Sequence, residues 1–465
     1  MINIKIFLSF LLFESIFSQN GVVNLPFLKE MPELEGISPK DIIFPNLITN
    51  QIMAELSLGT SPQKIKLRLE FGGYIFYIAG DSSSNSIKFN QEKSKTYQKI
   101  LEQEIDINKS TNKAIYSSDY FYFNNNKYII SFLLGVDTDK DNSGGLIGLN
   151  LEDINDADNY NKYNFINELK RIGLINDYYF TIKYENNLSG KIIIGDLPHN
   201  YDNNYNKDNY RDIYSELTEN DLTWKIKFNG IYMGEKENTE NKTNIEDYGY
   251  GYFRLEKSII EGIEIYRKEL LNSFLKEKID NNLCFEIKSL IYYSYYCKKE
   301  VDLSKMKNIY FYNKALDFTF ELTYKDLFYY NKLDGNNYFL VVFSTEIDDE
   351  EINYNNYWVL GEPFFKKYQF YFNKNSKRIG IYTSFNNNEK YEQSWISRNK
   401  WYIVLIIILI ILLGGLGVTL FMLIKNKKRK MKANELDDDF DYTTNKSNKL
   451  VNEEKNIRFL EMGRI

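Results

Sequence analysis

Trp358-Val359-Leu360-Gly361-Glu362-Pro363-Phe364, followed by Lys367-Tyr368 and Phe372, is the most distinctive stretch of the chain. The runs just beyond it, Gln369 to Asn373 and Arg378 to Tyr382, alternate apolar with other residues. The same alternation recurs toward the N-terminus, in Ala54 to Leu58, Ile65 to Leu69, Tyr74 to Ile78, Ile115 to Phe123, Tyr128 to Leu134, Phe180 to Tyr184, Lys191 to Ile194, Trp224 to Tyr232 and Tyr338 to Ser344. Period-two patterning over about four to eight residues, punctuated by Gly and Asn, predicts strands. Helical spacing is scarce, and Asn164 to Ile172 and Ile263 to Ile279 carry it best. The pattern implies a large, mainly β body with a few short helices, arranged in two lobes.

Composition supports a folded body and closes several routes to function. Of 465 residues, 43% are hydrophobic, and 16% are aromatic, with 39 Tyr and 32 Phe, which excludes global disorder. The short Asn runs, such as Asn124 to Asn126 and Asn386 to Asn388, read as solvated loops. The chain holds one histidine, His199, inside Asp196-Leu197-Pro198-His199-Asn200-Tyr201. That segment reads as a surface turn, so Ser-His and Cys-His catalysis have no good base. One His and two Cys also argue against a His- or Cys-built zinc site, and neither metal nor cofactor is expected. A net charge of −6 and the lack of a basic stripe in the main body argue against nucleic acid as a partner.

Two apolar segments set the compartment. Met1 to Ser18 holds Lys5, the run Ile6 to Phe13, and the small residues Ser15 and Ser18, the pattern of a secretory signal cleaved after Ser18. Trp401 to Ile424 carries no charge from Tyr402 onward, a length that predicts a transmembrane helix. Lys425, Lys427, Lys428, Arg429, Lys430 and Lys432 follow at once, which orients the C-terminus to the cytosol. The expected topology is a single-pass type I membrane protein with a lumenal or extracellular body. A polar, aromatic-poor cytosolic tail, 425–465, completes it. In that oxidising compartment Cys284 and Cys297 are expected to pair and close a small hairpin loop. Asn108, Asn187 and Asn241 begin Asn-x-Ser/Thr glycosylation acceptors on the same side.

Further landmarks lie in order along the body. Gly59-Thr60-Ser61-Pro62-Gln63 leads through Ile65, Leu67 and Leu69 to Glu70-Phe71-Gly72-Gly73. Phe89-Asn90 and Ser94-Lys95-Thr96-Tyr97 come next, then Gly145-Leu146-Ile147-Gly148-Leu149, Phe180 to Tyr184, Gly190 to Gly195 and Trp224-Lys225-Ile226. Trp358 to Phe364 and Arg378-Ile379-Gly380-Ile381 close the series. Taken together, from about residue 50 to 385, the set resembles the pepsin-like aspartic protease family (peptidase A1). Trp358 to Phe364 resembles that family's Trp-Ile-Leu-Gly-Asp-x-Phe. The resemblance implies a bilobal β fold with a central cleft, and one aspartate donated by an Asp-Thr/Ser-Gly loop of each lobe. Two such carboxylates about 3 Å apart share a proton, and the water between them attacks the peptide carbonyl.

The motifs depart from that pattern where the chemistry resides. Glu70 stands at the first aspartate, one methylene longer, and a displacement of about 1 Å already costs about a hundredfold in rate. Phe71 replaces the Thr whose hydroxyl braces the two loops. For the second position two alignments stay open. Ser258-Ile259-Ile260-Glu261-Gly262 resembles the end of the family's second loop, which sets Arg254-Leu255-Glu256 on Asp-Thr-Gly, behind Tyr252-Phe253. The alternative is the literal Asp247-Tyr248-Gly249, whose lead-in Asn244-Ile245-Glu246 is polar for a buried strand. Arg254 would ion-pair with Glu70 and defeat proton sharing. Ile107 occupies the place of the family's flap tyrosine, beside Asn108, where a glycan would crowd the cleft.

The expected organisation is a signal peptide 1–18, an N-terminal segment 19–49, lobes 50–220 and 221–386, a juxtamembrane stalk 387–400, a transmembrane helix 401–424 and the tail 425–465. Three readings compete. They are a membrane-anchored pseudoprotease that binds peptide or protein in its cleft as a monomer, an active endopeptidase with a Glu70/Asp247 dyad, and a surface adhesion or coat protein. The topology has a direct check. In sealed vesicles, added protease should digest the tail from residue 425 and leave residues 19–400 intact; a protected tail would contradict the orientation.

Overall fold

A computed structural model describes residues 21–30, 51–80, 87–107, 110–137, 143–151, 163–217, 223–235, 243–246, 248–288, 292–332, 334–344, 357–383 and 423–425. The expected signal peptide, the stalk, most of the transmembrane span, most of the tail, Asn108, Asn241 and Asp247 lie outside these residues. The chain divides into two units, 1–389 and 390–465. Of the second, Leu423 to Lys425 are described and are helical. Among the described residues no helix is long and apolar enough to cross a membrane.

Among the described residues the first unit is mainly β, with strands in sheets of 13, nine and four. Most runs of alternating residues became strands: Gln51–Leu58, Gln63–Glu70, Phe76–Ala79, Ser110–Phe123, Asn126–Asp137, Tyr179–Tyr184 and Ser189–Ile194. On Gln63–Glu70 the inward set Ile65, Leu67 and Leu69 is buried, while the residues between them are half-buried or exposed. That is how a strand with one core face is built.

Two expected strands proved to be pairs. Trp224 to Tyr232 breaks at Asn229, because Lys225–Phe228 belongs to the nine-stranded sheet and Gly230–Gly234 to the four-stranded one. Tyr338 to Ser344 breaks at Leu340, where Asn336–Phe339 gives way to Val341–Ser344. The N-terminal segment also contributes a strand that alternation did not single out. Val23–Glu30 pairs antiparallel with both Ser189–Ile194 and Gln51–Leu58 and buries Val23, Leu25 and Phe27.

Both expected helices form. Phe165–Arg171 is capped by the Asn164 side chain, which accepts from the N–H groups of Ile166 and Asn167. The second runs Glu264–Leu270, widens into a π turn at Leu271–Leu275, and resumes as Lys276–Asp280. Tyr266, Leu270 and Phe274 are all buried at a spacing of four. An α-helix turns every 3.6 residues, so the wider π turn absorbs the surplus and keeps the buried face aligned.

The 13-stranded sheet draws on both ends of the body. Its last members in sequence, Tyr371–Asn373 and Arg378–Tyr382, pair with Tyr179–Tyr184 and Tyr210–Tyr214. The Trp358 to Phe364 stretch is also tied to the N-terminus. Glu362, at 4% exposure, pairs with Lys29 at 2.5 Å and with Lys366. Burial holds the Lys29 amine below its usual pKa, against the pull of Glu362.

Cys284 and Cys297 form a disulfide directly across the hairpin of Cys284–Lys288 and Tyr292–Lys298. Bridging residues 13 apart removes loop entropy from the unfolded chain, worth about 3 kcal/mol in the entropic account. Replacing both cysteines with serine should lower unfolding free energy by about 2–3 kcal/mol in denaturant titration. Non-reducing peptide mapping of the parent should recover the linked pair.

Candidate functional site

The two loops singled out in the sequence follow two copies of one strand arrangement. Gln63–Glu70 runs parallel to Gly145–Gly148, Phe76–Ala79 runs antiparallel to it, and Asn126–Asp137 lies parallel to Phe76–Ala79. In the nine-stranded sheet, Gly249–Phe253 runs parallel to Tyr357–Leu360, Ile260–Ile263 runs antiparallel to it, and Val341–Ser344 lies parallel to Ile260–Ile263. The order parallel, antiparallel, parallel is the same.

The registers match as well. Glu70 lies opposite Gly148. Phe253 lies opposite Leu360, so Arg254 comes level with Gly361, and its N–H donates to the Leu360 carbonyl at 3.1 Å. Each glycine faces the loop of its own copy at equivalent places. A Cβ at Gly148 would meet Gly73 O and Ile75 N, both at 2.6 Å. A Cβ at Gly361 would meet Lys257 O at 2.5 Å and Ile259 O at 2.1 Å. Gly73 and Lys257 stand three residues beyond Glu70 and Arg254, and Ile75 and Ile259 stand five beyond.

The loops touch. The Phe71 N–H donates to Glu256 Oε2 at 3.2 Å. A Cβ at Gly72 would lie 2.9 Å from Arg254 Nη1 and 3.3 Å from Glu256 Oε1. Glu70 pairs with Arg68, two residues earlier on the same strand face. Arg254 Nη1 pairs with Glu256 Oε1 at 3.4 Å. The expected partner of Arg254 was Glu70; its described partner is Glu256. Lys257 Nζ lies 3.6 Å from Glu261, which also accepts from the Tyr292 hydroxyl at 3.4 Å. Burial pushes the Glu261 carboxyl above its ordinary pKa, while Lys257, Tyr292 and Arg254 oppose the shift.

The apolar side of the junction is equally defined. Phe71 is 1% exposed, and its ring lies 5.8, 5.2 and 5.1 Å from those of Phe180, Phe365 and Phe372. Leu255, the matching residue of the second loop, is fully buried. The side chains that follow Glu70 and Arg254 are thus both buried and apolar.

A family model for eukaryotic aspartyl protease matches residues 51–383. The chain belongs to that family. No curated protein matches it. The match spans both loops and both copies of the strand arrangement, as an aspartyl protease requires. Ile107 ends the strand Gln98–Ile107 and pairs with Ser110, so it sits at the end of a hairpin. Asn187 is exposed in the turn after Tyr179–Tyr184, and its Oδ1 accepts from Lys366 Nζ at 3.2 Å. His199 lies in a short 3-10 turn away from the loops, its Nδ1 2.6 Å from the Tyr382 hydroxyl.

The sequence reading named Glu256 in the second loop but gave it no role; its contact with the Phe71 N–H supplies one.

Phe71 supplies a test of the junction. Phe71→Thr leaves a cavity among three phenylalanine rings and buries a hydroxyl there. It should cost about 3–5 kcal/mol, the scale of a buried Phe→Ala change, and show as a lowered Tm. An unchanged Tm would mean the cluster does not hold the loop.

Proposed function

We propose that this aspartyl protease family member is a membrane-anchored pseudoprotease, which binds peptide or protein segments at the junction of its two loops without cleaving them. The observation that carries this reading is the matched register that sets Arg254 level with Gly361 as Glu70 is level with Gly148. The family's reaction needs two facing carboxylates that share a proton and activate a water. Arginine has no acceptor and does not lose its proton at any working pH, so it can neither take the water's proton nor share one. Glu70 is already engaged by Arg68, and Phe71 offers no hydroxyl to align it. Each change alone weakens the chemistry, and together they remove both halves of the proton relay.

Anchoring rests on the uncharged run from Tyr402 to Ile424 with its basic flank. Binding rests on what is kept. The paired strand arrangements, the loops and the hairpin ending at Ile107 retain the frame that receives an extended peptide in this family.

The test is turnover of a peptide library by the purified full-length protein between about pH 3 and 7, the range in which paired carboxylates hold one proton. No hydrolysis is expected, and Glu70→Asp alone should not produce any. Cleavage that disappears in Asp247→Ala would overturn the reading and assign the dyad to Glu70 and Asp247. Retention of uncleaved peptides supports it over a purely adhesive role.

A further inference from the structure

Six charged side chains surround the junction of the two loops as three pairs: Arg68 with Glu70, Arg254 with Glu256, and Lys257 with Glu261. Their net charge is zero, yet exposure is shared unequally within each pair. The cation is the more exposed member each time, at 22% against 16%, 29% against 21% and 26% against 10%. The carboxylates of the second loop also face protein donors, Glu256 the Phe71 N–H and Glu261 the Tyr292 hydroxyl. Gly72, which Arg254 Nη1 adjoins, is exposed, so this group of charges reaches the surface.

With the cation the more exposed member of each pair, an approaching ligand meets positive charge first. Arg254 and Lys257 are three residues apart on one loop, and both contacts to their own carboxylates are long, at 3.4 and 3.6 Å. A guanidinium offers five N–H donors in a plane that fits a carboxylate with two parallel bonds, and an ammonium beside it adds a point charge. The surrounding residues are partly buried, which strengthens such a contact relative to open water.

We propose that Arg254 and Lys257 bind a carboxylate of a peptide ligand, so that this family member selects acidic peptides at the place where its relatives carry their reacting acids. The inference rests on the peptide-binding reading above. It reverses the electrostatics of a paired-aspartate floor, where a second acid would be repelled. The carboxylate can come from an Asp or Glu side chain or from a peptide C-terminus.

The test is fluorescence anisotropy of the full-length protein with labelled octapeptides. One set carries a single Glu at each position in turn, and a matched set carries Gln. Each is made with a free and an amidated C-terminus. At one position the Glu peptide should bind about tenfold tighter than its Gln counterpart, and added salt should shrink the difference. Arg254→Gln should abolish the preference, and Arg254→Lys should keep part of it. Lys257→Gln gives a second, independent reduction should Arg254→Gln fail to fold. Tighter binding of free than of amidated peptides, with Glu and Gln alike, assigns the site to the C-terminal carboxylate. Equal, uncleaved binding of Glu and Gln peptides at every position, and of free and amidated peptides, overturns this inference and leaves the pseudoprotease reading intact. Cleavage overturns the pseudoprotease reading, and binding of no peptide overturns both.

Discussion

At Gly148 and again at Gly361 the backbone of one strand passes so close to the neighbouring loop that a methyl group has no room. Both loops depend on that approach. It lets the strand before the loop and the strand after it flank a single central strand, one parallel and one antiparallel. The loop is thereby turned out at the end of the sheet with its first residue fixed in register. What stands at that first residue is left to the sequence, and here it is Glu70 in one copy and Arg254 in the other.

The junction has two unlike sides. On the core side, Phe71 and Leu255 are buried and apolar, and Phe71 packs among Phe180, Phe365 and Phe372. On the solvent side, cations accompany each carboxylate. A paired-acid catalyst needs opposite conditions on both sides, a hydroxyl network below and unneutralised acids above. In the proposed reading the two sides agree, because an ion-paired junction requires no alignment of a water.

Much of this was legible in the residues. Strands with one buried face announce themselves by alternation, and the helix Phe165–Arg171 by its spacing and its Asn164 cap. The family followed from ordered landmarks. Gln98–Ile107 escaped notice because it is the last strand of its sheet and exposes Ile100 and Leu101, so alternation is not enforced on it. The breaks at Asn229 and Leu340 were hidden because apolar runs continue across them while the chain changes partners. In the site, the sequence showed that Phe71 cannot donate a hydroxyl, and it did not show that the ring fills a space. The role of Glu256 was invisible for a simpler reason: it is a hydrogen bond to a residue 185 positions away.

The last two strands of the body carry a consequence for how the protein is made. Tyr371–Asn373 joins Tyr179–Tyr184, and Arg378–Tyr382 joins Tyr210–Tyr214, so the large sheet of the N-terminal half is completed only by residues made long after its other strands. Pairings of such long sequence separation form late and slowly, because the entropy of closing the intervening chain is lost before the contacts form. Until then Tyr179–Tyr184 presents an open hydrogen-bonding edge, the kind of surface on which nascent chains misassociate. A messenger or chain truncated before Tyr371 would leave that edge open permanently.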